Sequence, residues 1–540
     1  MEIKDFLQGE IVEGSLETYE HDASIFEVKP SLVVRPKNSQ DVEGLVKFVS
    51  ERKSAGEDIS LTARAAGSDM SGGPLSDSII VDFGKLNKIS DIDTDLISVE
   101  PGVFYRDFEI KTLENGLLLP SYPASKDLCM VGGMVANNSG GEKSLKYGKT
   151  DRYVKELRVV LSDGEEYSIV PLSAQELEEK KTQTDFEGKI YRETYELLQS
   201  NYEKIQEARP TVSKNSAGYA LWNVWDGKIF DLTKLFTGSQ GTLGLITGIK
   251  FKLIKPAKLS KILVIFLKDL NHLVGIVDTV MGYNPESFES YDKHTLKLAM
   301  RFMPEIIAKM KGNGFALAFS FLPELGMVLS GGLPELVLLA EFTGDDGEIL
   351  GQKLETVKKD VDVKFKVRSR IASSSADAQK YWTIRRESFN LLRKHVQGKK
   401  SAPFIDDIIV ARSRLGEFLP RLQSILGEYK ELTYTIAGHV GDANFHIIPL
   451  MNLSDQESHE TIRALSDRVY SLVVDLGGSI TAEHNDGLIR TPFLEKMYGP
   501  EVYDIFVKIK KIFDPLGIFN PRKKVGGDIE YSMKHIKVSN

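Results

Sequence analysis

Three glycine-rich stretches in the first half constrain this chain more than any other feature. They are Arg64-Ala65-Ala66-Gly67-Ser68-Asp69-Met70-Ser71-Gly72-Gly73, Val131-Gly132-Gly133-Met134-Val135-Ala136-Asn137-Asn138-Ser139-Gly140-Gly141 and Thr237-Gly238-Ser239-Gln240-Gly241-Thr242-Leu243-Gly244-Leu245-Ile246-Thr247. Clustered glycines let backbone N–H groups approach a phosphate with no side chain in the way. No G-x-G-x-x-G fingerprint occurs, which disfavours a nucleotide crevice of the Rossmann kind. Three separate loops suit a ligand long enough to touch all of them, with a pyrophosphate in its middle. Each loop taken singly is equally consistent with a tight turn.

The surrounding pattern predicts a mixed α and β chain. Strands are expected at Ser31–Pro36, Ile59–Ala63, Ser78–Asp82, Leu96–Glu100 and Leu157–Leu161, the last running into a hairpin turn at Asp163-Gly164. A helix is expected from Ser39 to Lys53, capped by Ser39, with Val42, Leu45, Val46 and Val49 on one face. Another runs from Phe104 to Asn115 and ends at Gly116. Near Pro256 the character changes. Helical segments (His272–Tyr283, Ser290–Lys311, Asp346–Lys359, Ala376–Gln397, Arg412–Glu428) then alternate with strands such as Lys261–Phe266 and Leu336–Phe342. An amphipathic helix from Pro500 to Phe513 closes the pattern before Asp514-Pro515.

A chain of 540 residues exceeds what one core usually supports, so two or three domains are expected. A net charge of −8 advertises no broad basic surface and argues against nucleic acid as a partner. The single cysteine, Cys129, forbids an internal disulfide or a Cys-ligated iron–sulfur cluster within these residues. The N-terminus lacks an apolar run of signal-peptide length. The most apolar region, Phe315–Phe342, is broken by Pro323, Glu324, Gly326, Gly331, Gly332, Pro334 and Glu335, so no membrane span is expected. A soluble, cytoplasmic chain is the expectation, with peripheral membrane contact through a partner left open.

Three of the nine histidines lie in two short C-terminal stretches, Gly438-His439-Val440-Gly441-Asp442-Ala443-Asn444-Phe445-His446 and Thr481-Ala482-Glu483-His484-Asn485. Two imidazoles and a carboxylate are a common ligand set for a divalent ion that keeps an open coordination position. The strand–loop–strand pattern around Gly438 and Gly441 brings His439 and His446 together. Ser479–Ala482 reads as a further strand, and adjacent extended residues point to opposite sides, so Glu483 and His484 need different tasks.

Residues 30 to 255 resemble the FAD-binding domain of the vanillyl-alcohol-oxidase superfamily. Arg64 to Gly73 is similar to its phosphate-binding loop, Pro123 to Gly141 to its second flavin-binding stretch, and Gly238 to Ile246 to its third. The resemblance implies cofactor contacts from Arg64, Ala66, Gly67, Ser68, Asp69, Ser71 and Gly72 in the first loop. It implies Pro123, Ala124, Ser125, Gly132, Gly133, Ala136, Asn137, Ser139, Gly140 and Gly141 in the second, and Gly241, Gly244, Ile246 and Asn520 beyond. Ser68 stands where some relatives carry a flavin-linking histidine, so FAD is expected to be noncovalent.

The motifs at Gly438–His446, Ala482-Glu483-His484 and Asp514-Pro515 through Asn520-Pro521 resemble D-lactate, glycolate and D-2-hydroxyglutarate dehydrogenases. The phrases Ala482–Gly487 and Tyr498–Tyr503 look most like the flavin half of fused flavin/iron–sulfur D-lactate dehydrogenases. The implied fold class is α+β. It comprises a PCMH-type FAD-binding domain over residues 1–257, an α+β cap and metal-binding domain over 258–499, and a helical segment over 500–540 that returns to the FAD domain. By the same resemblance His439, His446 and Glu483 hold the metal and His484 is the base. Zinc is favoured by the ligand set, with manganese or iron open.

Trp382-Thr383-Ile384-Arg385-Arg386-Glu387 resembles the family's Trp-x-x-Arg segment that supplies an arginine for the substrate carboxylate; the tryptophan spacing selects Arg385, with Arg386 as the alternative. Ile448 stands where hydroxyglutarate enzymes carry a polar group, which favours a small apolar 2-hydroxy acid. The implied function is FAD- and metal-assisted oxidation of a D-2-hydroxy acid, D-lactate-like, to the 2-oxo acid. The electron acceptor is left as a separate iron–sulfur subunit, a quinone or an electron-transfer flavoprotein. A glycolate or D-2-hydroxyglutarate dehydrogenase, a non-catalytic flavin subunit and a metallohydrolase are the competing readings.

Overall fold

The computed structural model describes residues 2–301, 332–395 and 399–537. Three larger sheets organise them, beside a two-stranded one of Leu172–Ser173 and Ile229–Phe230. The first is four-stranded, in the order Glu10–Ile11, Leu32–Arg35, Ile79–Asp82, Leu61–Arg64, and its last three strands are parallel. The helix Ser39–Ser54 covers it, burying Val42, Leu45, Val46 and Val49 against Leu61, Ile79 and Val81. Asn38, not Ser39, caps this helix, its side chain accepting from the Asp41 N–H.

The second sheet is antiparallel, in the order Leu96–Val99, Leu245–Lys252, Val154–Val160, Glu166–Ile169. Helix Tyr105–Glu114 packs into its core through Tyr105 and Phe108, and Gly116 follows the helix at φ +68°. After a kink at Gly499 (φ +76°), the helix that runs from Pro500 to Phe513 adds Val502, Ile505, Phe506, Ile509 and Phe513 to the same core.

The third sheet is antiparallel and built from the second half of the chain. Its order is Arg368–Ile371, Leu259–Leu267, Leu336–Gly344, Ser287–Asp292, Thr433–His439, Asn444–Met451, Lys400–Ser401, with Ile408–Ile409 also paired to Asn444–Met451. Alternation along Leu259–Leu267 shows how both faces are covered. Leu263, Ile265 and Leu267 join a core with helices Leu273–Met281, Gly347–Phe365, Leu415–Gly427 and Gln456–Asp475. Ile262, Val264 and Phe266 face Ala299, Tyr381 and Trp382 of helices Lys293–Arg301 and Ser375–His395. A period of two places alternate apolar residues in two different cores.

Three expectations change. The segment Ser287–Asp292, part of which read as helix, is a strand, and the helix begins at Lys293; residues 302–311 of that segment, and most of Phe315–Phe342, lie outside the described residues. The second glycine-rich stretch is largely a helix, Val131–Asn137, ended by Asn138 in the left-handed conformation. Ser479–Ala482 is no strand: Ser479 makes one bridge to Ile409 and the chain then bends. Among the described residues no helix is long and apolar enough to cross a membrane.

Candidate active site

The three glycine-rich stretches converge. The Gly238 and Gln240 N–H groups donate to the carbonyls of Val135 and Ala136 at 2.8 and 2.9 Å. Asn137 donates from Nδ2 to Asp69 Oδ1 at 2.7 Å, which ties the second stretch to the first. Asp69 Oδ2 accepts from the Ser71 and Gly73 N–H groups and from Ser71 Oγ, so this carboxylate shapes its own loop. Asn520 locks the arrangement from the far end of the chain. Its Nδ2 donates to Gly73 O at 3.0 Å and Gln240 O at 2.7 Å, and its Oδ1 accepts from Thr62 Oγ1. Asn520 therefore positions two loops at once.

Beside the first loop lies a cavity of about 600 Å³, lined by Arg64–Ser68 and by Tyr19, Arg35, Asp82, Phe104 and Met130 among others. Arg64 is buried, and its guanidinium donates to the carbonyls of Thr18, Tyr19 and His21, fastening the N-terminal segment beneath the loop. On the loop's own side, two alanines, a glycine and a serine form the wall. Gly67 has φ +67°, a conformation that disfavours larger residues, and a Cβ there would also crowd the Arg64 guanidinium. A cavity of this size against small-residue backbone fits a dinucleotide. Pro123 packs on Gly141, where a Cβ would lie 3.3 Å from Pro123 Cα, while Ala124 is exposed. Gly244 packs on Val159, and Ile246 pairs with Val159 in the second sheet.

The histidine cluster sits where the third sheet meets these loops. His439 ends strand Thr433–His439 and His446 lies in Asn444–Met451. Their rings meet edge to face at 5.2 Å between centroids. His446 in turn stacks on His484 at 5.1 Å. Each Nδ1 faces a carboxylate: His439 on Glu289 Oε1 at 2.6 Å, His446 on Asp406 Oδ1 at 3.0 Å, His484 on Asp406 Oδ2 at 2.7 Å. Hydrogen bonds between Nδ1 and a carboxylate orient His439 and His446 and leave Nε2 as the coordinating atom, whereas the His484–Asp406 contact is an ion pair without hydrogen-bond alignment. His439 Nε2 lies 3.5 Å from Glu483 Oε2.

Asp407 explains why the Glu483 segment is not extended. Its Oδ2 accepts from three successive N–H groups, Ala482 at 2.9 Å, Glu483 at 2.8 Å and His484 at 2.7 Å, and from Thr481 Oγ1 at 2.6 Å. Curling the backbone around one carboxylate turns Glu483 and His484 toward the same cluster, where alternation along a strand would have separated them. Donor atoms of Asp407, His446, Glu483 and His484 all lie within 4.8 Å of one another. The tightest grouping thus includes Asp407 and His484 beside His446 and Glu483, and His439 flanks it. Three imidazoles and several buried carboxylates fit a divalent ion as a donor set.

The charges reinforce one another. Burial alone would raise the Glu289 carboxyl, but Arg385 and His439 outweigh it and hold it down at about 2. Burial would lower both outer imidazoles; Glu289 instead raises His439 to about 9, and Asp407 with Asp406 raises His484 to about 9. Arg385, one-tenth exposed, places Nε 2.6 Å from Glu289 Oε2 as an ion pair without hydrogen-bond alignment. Arg386 points elsewhere, pairing both Glu142 oxygens at 2.7 Å over the Trp382 ring.

Several residues here escape a reading of motifs. Glu289 lies in a strand, Ser287–Asp292, whose six residues are all buried although four of them are acidic or Ser; that unusual polarity was its available signal. Asp406 and Asp407 were visible only as an adjacent pair. Lys214, buried, donates to Glu483 Oε1 at 2.5 Å, and nothing in Ser213-Lys214-Asn215 announces a site more than two hundred residues away.

The chain carries an FAD binding domain, and its fold is shared with PCMH-type flavoproteins. Two family models match the chain: an FAD binding domain over residues 30–169, and the C-terminal domain of FAD linked oxidases over residues 257–524. The chain thus carries the two domains that these models describe. It is 26% identical to a D-2-hydroxyglutarate dehydrogenase of Pseudomonas putida over 93% of this chain and 49% of that protein, so it spans about half the length of that relative. It is 25% identical to the glycolate oxidase subunit GlcD of Bacillus subtilis, covering 94% and 92% of the two chains. With a D-lactate dehydrogenase of Anaerostipes hadrus the identity is 27% over 94% and 92%. Among solved structures, p-cresol methylhydroxylase with substrate bound shares the fold at a TM-score of 0.67 and 18% identity, covering 96% of this chain and 94% of that one.

Proposed function

We propose that this chain oxidises a small D-2-hydroxy acid to the 2-oxo acid, with noncovalent FAD in the loop cavity and a divalent ion at His439, His446 and Glu483. The observation that carries the reading is a close approach between the second glycine-rich stretch and the cluster. Gly140 of the second flavin stretch stands so close to the cluster that a Cβ there would lie 3.1 Å from Glu483 Oε1. Bound FAD would supply the hydride acceptor. A divalent ion would supply Lewis acidity to the substrate hydroxyl and, as a like charge, would favour the neutral His484 ring.

The remaining tasks fall to this chain's own side chains. His484 takes the hydroxyl proton at Nε2, its Nδ1 being held on Asp406. Arg385 binds the substrate carboxylate through its terminal nitrogens while Glu289 holds its Nε. Ile448 is two residues past His446 on one strand and so shares its face; this buried aliphatic side chain supports a short apolar substituent on the substrate. Zinc is the favoured ion, with manganese or iron as alternatives. Electrons then leave for a separate carrier, such as an iron–sulfur subunit, a quinone or an electron-transfer flavoprotein.

The test is anaerobic stopped-flow reduction of the protein-bound flavin by D-lactate, L-lactate, glycolate and D-2-hydroxyglutarate. D-lactate is expected to bleach the flavin, and prior chelation to slow it about a thousandfold, because several kcal/mol of charge stabilisation is lost. A yellow protein that none of these acids bleaches would defeat the proposal.

A further inference from the structure

The chain holds a cation of its own inside this cluster. Lys214 is buried, and three oxygens surround its Nζ: Glu483 Oε1 at 2.5 Å, Asn444 Oδ1 at 3.1 Å and Asp442 Oδ2 at 3.3 Å. Asp442 is itself fixed by Ser213, whose Oγ donates to Oδ1 at 2.6 Å, and Asn444 by its amide, which donates to Asp407 Oδ1 at 3.1 Å. Asp442, Asn444 and Glu483 are all buried. Two carboxylates and an amide oxygen, with no nitrogen or sulfur among them, are the donor set that hard cations such as Ca2+ take. On the other side of Glu483, Oε2 faces His439 Nε2 at 3.5 Å.

We infer that Lys214 is a positioning residue that fills this oxygen cage with a tethered ammonium and assigns the two oxygens of Glu483 to different neighbours. The inference rests on the metal reading above. With Oε1 held by Lys214, only Oε2 is left to the histidine side, where a mixed imidazole–carboxylate set suits Zn2+ or Mn2+. A Ca2+ ion takes six to eight oxygens and often both oxygens of one carboxylate. Lys214 denies it both the cage and the second oxygen. The lysine thus sets ion selectivity.

The experiment measures ion binding, independent of turnover, on FAD-loaded full-length protein stripped of metal. Calorimetric titration with Zn2+, Mn2+ and Ca2+ is run on the wild type, Lys214→Met and Lys214→Arg, each checked for bound flavin by its absorbance. The wild type is expected to bind Mn2+ at least about tenfold more tightly than Ca2+. In Lys214→Met the Ca2+ affinity is expected to rise about tenfold relative to Mn2+, and Lys214→Arg is expected to restore the wild-type preference in part. An unchanged Ca2+-to-Mn2+ ratio in Lys214→Met overturns the role of Lys214 while leaving the metal reading intact. Should Lys214→Met lose its flavin, the wild type decides alone: Ca2+ that displaces Mn2+ at equal concentration overturns the inference. A wild type that binds none of the three ions overturns the metal reading and Lys214's role together.

Discussion

At the scale of single residues, Arg385 and Arg386 show how adjacent side chains with the same chemistry receive different tasks. Arg385 turns inward to Glu289 beside His439, and Arg386 lies outward on Glu142. Arg385→Met is expected to raise KM for the hydroxy acid by about a hundredfold, the loss that follows when a charged hydrogen-bonding partner is removed, whereas Arg386→Met changes KM by less than about threefold. Equal effects in steady-state kinetics would undo that distinction. His484→Ala is expected to keep flavin and metal yet lose about a hundredfold or more in flavin-reduction rate, the usual share of a general base. The three histidines were legible in the sequence because an imidazole concentration is rare and strand–loop–strand spacing is local. Glu289 and Lys214 were not. Each reaches the cluster only through tertiary pairing, Glu289 by the contact of Ser287–Asp292 with Thr433–His439.

At the scale of elements, β-branched runs and apolar periodicity marked most strands and helices to within a few residues, since one buried face per element leaves a periodic trace. Two misreadings share a cause. Glycines in Val131–Asn137 look like a loop, but Gly132 is small because a Cβ there would lie 2.5 Å from Pro101 Cβ: the helix packs closely on the turn that follows strand Leu96–Val99. Near Glu483, the Asp407 carboxylate substitutes for a neighbouring strand as the acceptor of backbone N–H groups. In both places a partner distant in sequence decides the local backbone.

Gly487 offers a test at this scale. It has φ +52°, its N–H donates to Gln240 Oε1 at 2.9 Å, and a Cβ would lie 2.2 Å from Ser71 O. Gly487→Ala is expected to destabilise the fold by at least about 2 kcal/mol and to weaken FAD retention, because the first flavin loop must shift to accommodate it. Thermal unfolding and flavin release on dilution check this; a variant that melts and holds FAD like the wild type refutes the coupling.

Over the whole molecule, the sequence indicated two halves and a returning C-terminal segment, but the means by which that segment is fastened was hidden. Lys510, Lys523 and Lys524 are largely or fully buried and donate to carbonyls of Thr242, Leu75 and Gly218 respectively, tying the last residues to the glycine-rich half. Lysines read as solvated charges in a sequence, and the carbonyls they meet here carry no sequence signature, although Lys510 and Lys524 also pair with the Asp514 and Asp486 carboxylates. Burial lowers Lys523 from 10.5 to about 7, with the Arg522 charge adding to the effect. Between pH 7 and 10.5 the unfolded chain therefore holds a proton that the folded chain lacks, so this group's contribution to stability rises with pH across that window. Relative to Lys523→Met, the wild type is expected to gain stability from pH 6.5 to pH 9.5 in denaturant unfolding. A difference constant with pH would refute the assignment.

Asn520 also has a bearing on how the protein is made. It hydrogen-bonds Thr62, Gly73 and Gln240 from a position late in the chain, and Phe519 bridges to Leu61 in the first sheet. A ribosome that has finished the first flavin loop must still add more than four hundred residues before those bonds form. The first and third glycine-rich stretches thus take their final positions only once residues more than four hundred positions further on have been made, and tight capture of the flavin waits on them.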